Sequence, residues 1–191
     1  MIMLILGLVF FLGIHCVGFF PEWRQRRVDR MGLLPWKGLY SVIALAGFVL
    51  IILGFQRARL DPVVLYTSPA WLGHLNALFT LVAFILLAAA YVPGNRLRAR
   101  IGHPMVVGTK VWAFGHLLSI GLLHDVVLFG AFLVWAIVAF ARLRRRDRAQ
   151  GVTYAPGTLK GNIITVVVGV VAWALFAFWL HGALIGVRPF G

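Results

Sequence analysis

His15 lies two thirds of the way along an uncharged apolar run, Met1–Phe20, and His116 lies near the middle of a second apolar run, Met105–Leu123. An ionisable side chain inside a membrane span is costly, and it is usually kept for a pathway, a ligand or a cofactor. Two imidazoles on different spans point to one shared ligand. Trp112 and Ser119 share the helical face of His116, and Gly115 sits beside it, where a missing side chain would admit a flat group. Phe11, Gly18 and Phe19 flank His15 in the same way.

Haem b, an iron cofactor, takes one or two axial ligands, commonly histidine, and an apolar slot for its ring. A His–Fe–His arrangement across the two spans meets that need on one condition of depth. At about 1.5 Å per residue, His15 lies roughly 8 Å from the Phe20 end and His116 roughly 17 Å from the Met105 end, a mismatch of about two turns. Tilt and shifted boundaries absorb such a difference in many bundles. The competing reading is that each imidazole hydrogen-bonds a hydroxyl or carbonyl between helices, a contact worth roughly 1 kcal/mol. Lys110, two turns inside the second run, can snorkel its ammonium toward a lipid phosphate or a haem propionate.

The other histidines sort by depth. His74, His124 and His181 fall at one surface together with Asp61 and Asp125, a potential zinc or copper set without any ligand spacing such as H-x-x-x-H. His103 falls at the opposite surface. No Gly-rich phosphate loop, H-E-x-x-H or serine-triad pattern occurs, and five acidic residues leave little for general acid–base work. Hydrolase chemistry is therefore disfavoured, and any chemistry belongs to a bound cofactor.

The elements that must position these residues follow from composition. With 62% hydrophobic and 12% charged residues, a chain of 191 residues exposes more apolar surface than a soluble core could hide. Six stretches approach the roughly 20 apolar residues that cross about 30 Å of hydrocarbon: Met1–Phe20, Trp36–Phe55, Ala70–Val92, Met105–Leu123, Val126–Leu143 and Asn162–His181. Only His124 and Asp125 separate the fourth from the fifth, which predicts a tight hairpin. The fold class expected is an all-α bundle of about six transmembrane helices forming a single domain over residues 1–191.

A net charge of +13 would suggest nucleic acid in a soluble protein, but here the basic residues stand in blocks between apolar runs, so nucleic acid is not the expected partner. Those blocks follow the first, third and fifth spans. By the positive-inside rule they face the cytoplasm, and both termini face outward. The first block, Pro21–Leu34, interleaves Trp23, Val28 and Met31 with arginines and reads either as a helix on the membrane surface or as a solvated loop. The Arg144–Arg148 run enforces topology and touches anionic lipid. Cys16 is the lone cysteine, which removes internal disulfides and C-x-x-C-H haem attachment. Lacking a basic n-region and an A-x-A-like site, the first twenty residues read as a retained span.

Longer motifs carry a resemblance. Tyr91-Val92-Pro93-Gly94-Asn95-Arg96, Gly102-His103-Pro104-Met105, Lys110, Trp112, Gly115-His116-Leu117-Leu118 and Asp125 with Leu128-Phe129-Gly130 resemble the NnrU family of bacterial membrane proteins. Gly13-Ile14-His15, Trp36-Lys37-Gly38-Leu39-Tyr40-Ser41 and Arg57-Ala58-Arg59 agree with it. That family is associated with denitrification, in nitrite and nitric oxide reduction, and is similar to the plastid 15-cis-zeta-carotene isomerases, which hold a haem b through histidines. The resemblance implies haem b at His15 and His116, with Trp112, Gly115 and Lys110 around it. The isomerases can exchange a histidine for a nearby cysteine; Ala113 stands here, so that switch should be absent. Ser119-Ile120 stands where family members often carry asparagine. A more distant likeness to isoprenylcysteine methyltransferases, through His103-Pro104, implies shared helical architecture without methyl transfer.

Three functions follow as expectations. The first is a haem b protein supporting nitrogen-oxide respiration through redox, sensing or assembly of a reductase. A haem-dependent isomerase of a polyene or other isoprenoid is the second. The third is a non-catalytic scaffold whose basic face docks a partner such as a nitrogen-oxide reductase.

Overall fold

Hydrocarbon leaves backbone polar groups no partner but the chain itself, so apolar runs of this length must be helical. The computed structural model describes residues 1–190 and is all helical, with two isolated β-bridges and no strand among the described residues. The helices are α1 (Ile2–Cys16), α2 (Pro21–Met31), α3 (Leu33–Ala58), α4 (Trp71–Tyr91), α5 (Arg96–Ile101), α6 (Pro104–Ser119), α7 (Leu123–Ala149), α8 (Leu159–Leu175) and α9 (His181–Ile185). A 3-10 turn, Val17–Phe19, extends α1, and a π segment, Phe176–Leu180, joins α8 to α9.

Five helical segments are long and apolar enough to cross a membrane: Ile2–Phe19, α3, α4, α7 and Leu159–Ile185. Large apolar side chains such as Phe10, Val42, Leu45, Leu78, Val134 and Val171 stand exposed on their outer faces, a surface that suits lipid rather than water. The chain is a multi-pass membrane protein. Of the six stretches expected, the fourth is short. At about 1.5 Å per residue α6 measures roughly 24 Å, less than the roughly 30 Å of hydrocarbon.

The shortening has a cause. Ile120 leaves the helix with an extended backbone, and Gly121 O accepts from the amides of Leu65 and Tyr66 while the Leu123 amide donates to Val63 O. The turn between α6 and α7 is therefore Ile120–Leu122. His124 and Asp125, expected in that turn, instead open α7, 2% and 4% exposed. At the other end α7 continues through Arg144–Arg148 to Ala149, beyond the expected Leu143.

Neighbouring contacts run α3–α1–α7–α6–α4–α8, so the helices form a curved row in which α7 stands between the two histidine-bearing helices. The three basic connections meet at one end. The Arg142 guanidinium lies over the Phe19 and Phe20 rings, His103 pairs with Asp147, and Asn95 bridges to Thr158. Asn95, 2% exposed, ties that end together: its Nδ2 donates to Ala89 O and Val92 O, and its Oδ1 accepts from the Arg98 amide, so one side chain closes α4 and caps α5. Residues 59–70 and the α6–α7 turn meet at the opposite end.

Small residues let the backbones meet. A Cβ on Gly7 would lie 2.5 Å from the Ile51 nitrogen, and one on Gly47 would lie 2.6 Å from the Phe11 nitrogen, so α1 and α3 touch main chain to main chain. This contact sets where His15 stands. Gly→Ala inside a helix normally gains about 0.5–1 kcal/mol. Gly130→Ala, with nothing within 4 Å of the new methyl, should hold or raise the unfolding temperature in detergent, whereas Gly47→Ala should lower it; equal effects would contradict the close α1–α3 contact.

Candidate functional site

His15 sits in the last turn of α1, where its Nδ1–H donates to the Phe11 carbonyl at 2.6 Å. His116 repeats the arrangement on α6, its Nδ1–H donating to the Trp112 carbonyl at 2.8 Å. A ring nitrogen committed as donor fixes the tautomer and leaves the other with its lone pair. Both histidines therefore present a bare Nε2, the form a metal ligates.

Their surroundings differ. His116 is 8% exposed and stacks on Phe129 at 4.3 Å between ring centroids, with Trp112 at 5.5 Å. The half-buried His15 ring has Phe11 at 4.5 Å, Tyr40 at 5.5 Å and Trp135 edge-on at 6.0 Å. A chain of ring contacts joins the two through Phe11, Phe132 and Trp112. Trp135 lies six residues after Phe129, so the imidazoles touch α7 about 9 Å apart along its axis. The difference in depth expected from spacing is present, and α7 is the wall both rings share.

Beside His15 a cavity of about 390 Å³ opens toward the arginine-rich end, a size common for small-molecule sites. Trp36, Lys37, Tyr40 and Ser41 of α3 line it, with Arg24 of α2. Positions 36, 37, 40 and 41 follow helical spacing on one face of α3. Gly18 also lines it, and nothing stands within 4 Å of where its Cβ would be. Arg24, Trp36, Lys37, Tyr40 and Ser41 were not among the site residues expected from sequence; that one-face spacing, beside an arginine in a helix, was the available signal.

The remaining expected site residues gather around α6. Trp112 packs edge-on against Phe129 and Phe132. Gly115 faces α4, where a Cβ would lie 2.5 Å from Asn76 Oδ1 and 2.7 Å from Phe79 Cβ, so its bare side is filled by a helix rather than open to a flat group. The Lys110 ammonium rests over the Phe140 ring at 3.9 Å, a cation–π contact away from the His15 cavity. His74, His124 and His181 do not converge: no group of three metal-ligating side chains occurs among the described residues. His124 pairs instead with Asp125 at 3.3 Å, and His181 Nδ1 bonds Val187 O.

A second polar cluster was unforeseen. His103 Nε2 meets Asp147 Oδ2 at 2.7 Å, the Tyr154 hydroxyl donates to the same oxygen at 2.6 Å, and Tyr154 Oη lies 3.3 Å from His103 Nε2. Burial first, then the adjacent Asp147 carboxylate, pushes the Tyr154 phenol above its ordinary range, so it remains a donor. Asp147 is the single acid within the Arg144–Arg148 run, and its role is to clamp the start of α6 and the loop after α7 to the end of α7.

Comparison with known proteins gives one match. The family model described as NnrU protein covers residues 3–189, nearly the whole chain. No curated protein matches, and neither does any solved structure.

Hydrogen bonds to a charged group contribute about 1.5–3 kcal/mol each, and Asp147 accepts two at 4% exposure. Asp147→Ala should lower the unfolding temperature in detergent clearly, and Tyr154→Phe should do so by less than half as much. Unchanged unfolding in Asp147→Ala would remove the clamp.

Proposed function

The chain belongs to the NnrU family, and from that premise we propose that it is a haem b-binding membrane protein serving denitrification, with His15 and His116 as the axial ligands. The observation that carries the proposal is the shared tautomer. Each intramembrane imidazole spends Nδ1–H on the carbonyl one turn earlier and keeps Nε2 free, which is how ligating histidines are commonly oriented. Helix–helix hydrogen bonding would leave Nε2 engaged, and neither ring has such a partner among the described residues.

When bound, haem supplies one-electron chemistry and an iron that can take a diatomic gas. The protein's own residues do the rest. Phe11, Phe129 and Trp112 hold the imidazoles against aromatic rings, and Phe129 and Trp112 keep water from His116. The Phe11 and Trp112 carbonyls fix the ring orientations. Cations line the cavity beside His15, which suits a ring bearing acidic groups better than a wholly apolar polyene.

Purified protein supplied with haem should show a Soret band, and His15→Ala and His116→Ala should each weaken haem binding at least about tenfold or change the spectrum. The absence of a band from wild type, or normal spectra in both variants, would overturn the proposal. Because the two rings reach α7 about 9 Å apart, the spectra also decide whether they share one iron: a six-coordinate band that becomes five-coordinate in either variant means that they do.

A further inference from the structure

Within α2 the side chains split by exposure. Arg26, Arg27 and Arg30 are exposed, whereas Arg24 and Val28, one turn apart, are half-buried against the body of the protein. Helical arginines at a membrane surface ordinarily point to water or lipid headgroups. Arg24 instead lines the cavity beside His15, together with Lys37. Among the described residues no carboxylate lies within 4.0 Å of either cation, and no acidic residue lines the cavity. A half-buried guanidinium beside an exposed ammonium, with hydroxyls and a tryptophan in the same lining, calls for an anion on a flat, largely apolar body.

We infer that Arg24 and Lys37 anchor the carboxylates of the bound ring, the haem propionates, at the mouth of the cavity that His15 closes from inside. This assignment rests on the haem reading above. The cavity supplies each part such a ring needs at one place. His15 lines it with Nδ1 committed and Nε2 unbonded, the edge of the buried Trp36 and the half-buried Tyr40 ring stand beside it, and Ser41 offers a hydroxyl beside the cations. Lys110 does not compete for that role, because its ammonium lies over Phe140. Arg24 is a binding residue and Lys37 its partner; neither touches the iron.

The test compares haem b with haem dimethyl ester, in which both carboxylates are capped, by Soret titration of the detergent-purified full chain. Wild type should bind haem b at least about tenfold tighter than the ester, the low end of what one charge-assisted hydrogen bond contributes. The double variant Arg24→Gln/Lys37→Gln should bind the two rings with equal strength, and each single variant should fall between. An unchanged preference in the double variant, or equal binding by wild type, overturns the anchor while leaving haem binding intact. Failure of wild type to bind either ring removes the haem reading itself. Phosphatidylglycerol that co-purifies with wild type but not with the double variant, beside an unchanged haem preference, would assign the cations to a lipid phosphate and overturn the proposal.

Discussion

Inside a bilayer no water answers a polar group, so every donor and acceptor carried into the hydrocarbon must be matched within the chain or by something the chain binds. Most of this protein obeys the first alternative. Thr165, fully buried, donates to the Gly161 carbonyl one turn back. The Trp173 indole donates to Thr80 across α8 and α4. His15 and His116 obey it only by half, since Nδ1 is matched and Nε2 is not. An unpaired acceptor costs less than an unpaired donor where the group is ringed by aromatics, but it remains the unresolved polar atom of both helices. The proposed ligand would match that nitrogen, while Asn76 Oδ1 and the Trp135 indole nitrogen are the buried side-chain atoms without a partner among the described residues.

The same constraint shapes the packing. Lipid tails are as apolar as the side chains they meet, so burying leucine gains little and close backbone approach becomes the way to hold helices together. Glycines do this at α1–α3 through Gly7 and Gly47, at α4–α6 through Gly108 and Gly115, and at α4–α8 through Gly169. Gly115 shows how one position can be read in two ways. It is next to His116 in sequence, yet its bare face is turned to Asn76 and Phe79 of α4, so it serves the helix contact that holds His116 in place.

Much of the architecture was legible in the residues because it depends on local patterning. Apolar run lengths located α1, α3, α4, α7 and α8, and charge blocks foretold which connections would share an end, as the Arg142–Phe19, His103–Asp147 and Asn95–Thr158 contacts bear out. Family membership was also readable, from motifs spread over the chain. What stayed hidden depends on tertiary placement. The early end of α6 arises because residues 63–66 take the main-chain bonds of Gly121 and Leu123, a pairing no local pattern announces. Asp147 is the single acid of a basic run, and only the fold brings it His103 from 44 residues before and Tyr154 from 7 after. The inward turn of Arg24 requires knowing which side of α2 faces α3.

Charge balance sharpens the meaning of that inward arginine. Against eighteen lysines and arginines the chain has five acids, and three of them have other partners: Asp147 serves His103 and Tyr154, Asp125 pairs with His124, and Asp29 accepts from Gln25. Cations on the outer faces of α2 and the end of α7 can be met by lipid phosphate at no cost in burial. Arg24 is different, because half-burial takes part of its hydration and no carboxylate among the described residues replaces it. Its place on the face it shares with Val28 sets that inward direction. The proposed ring would answer both needs with one molecule, its iron at the free histidine nitrogen and its carboxylates at the half-buried guanidinium.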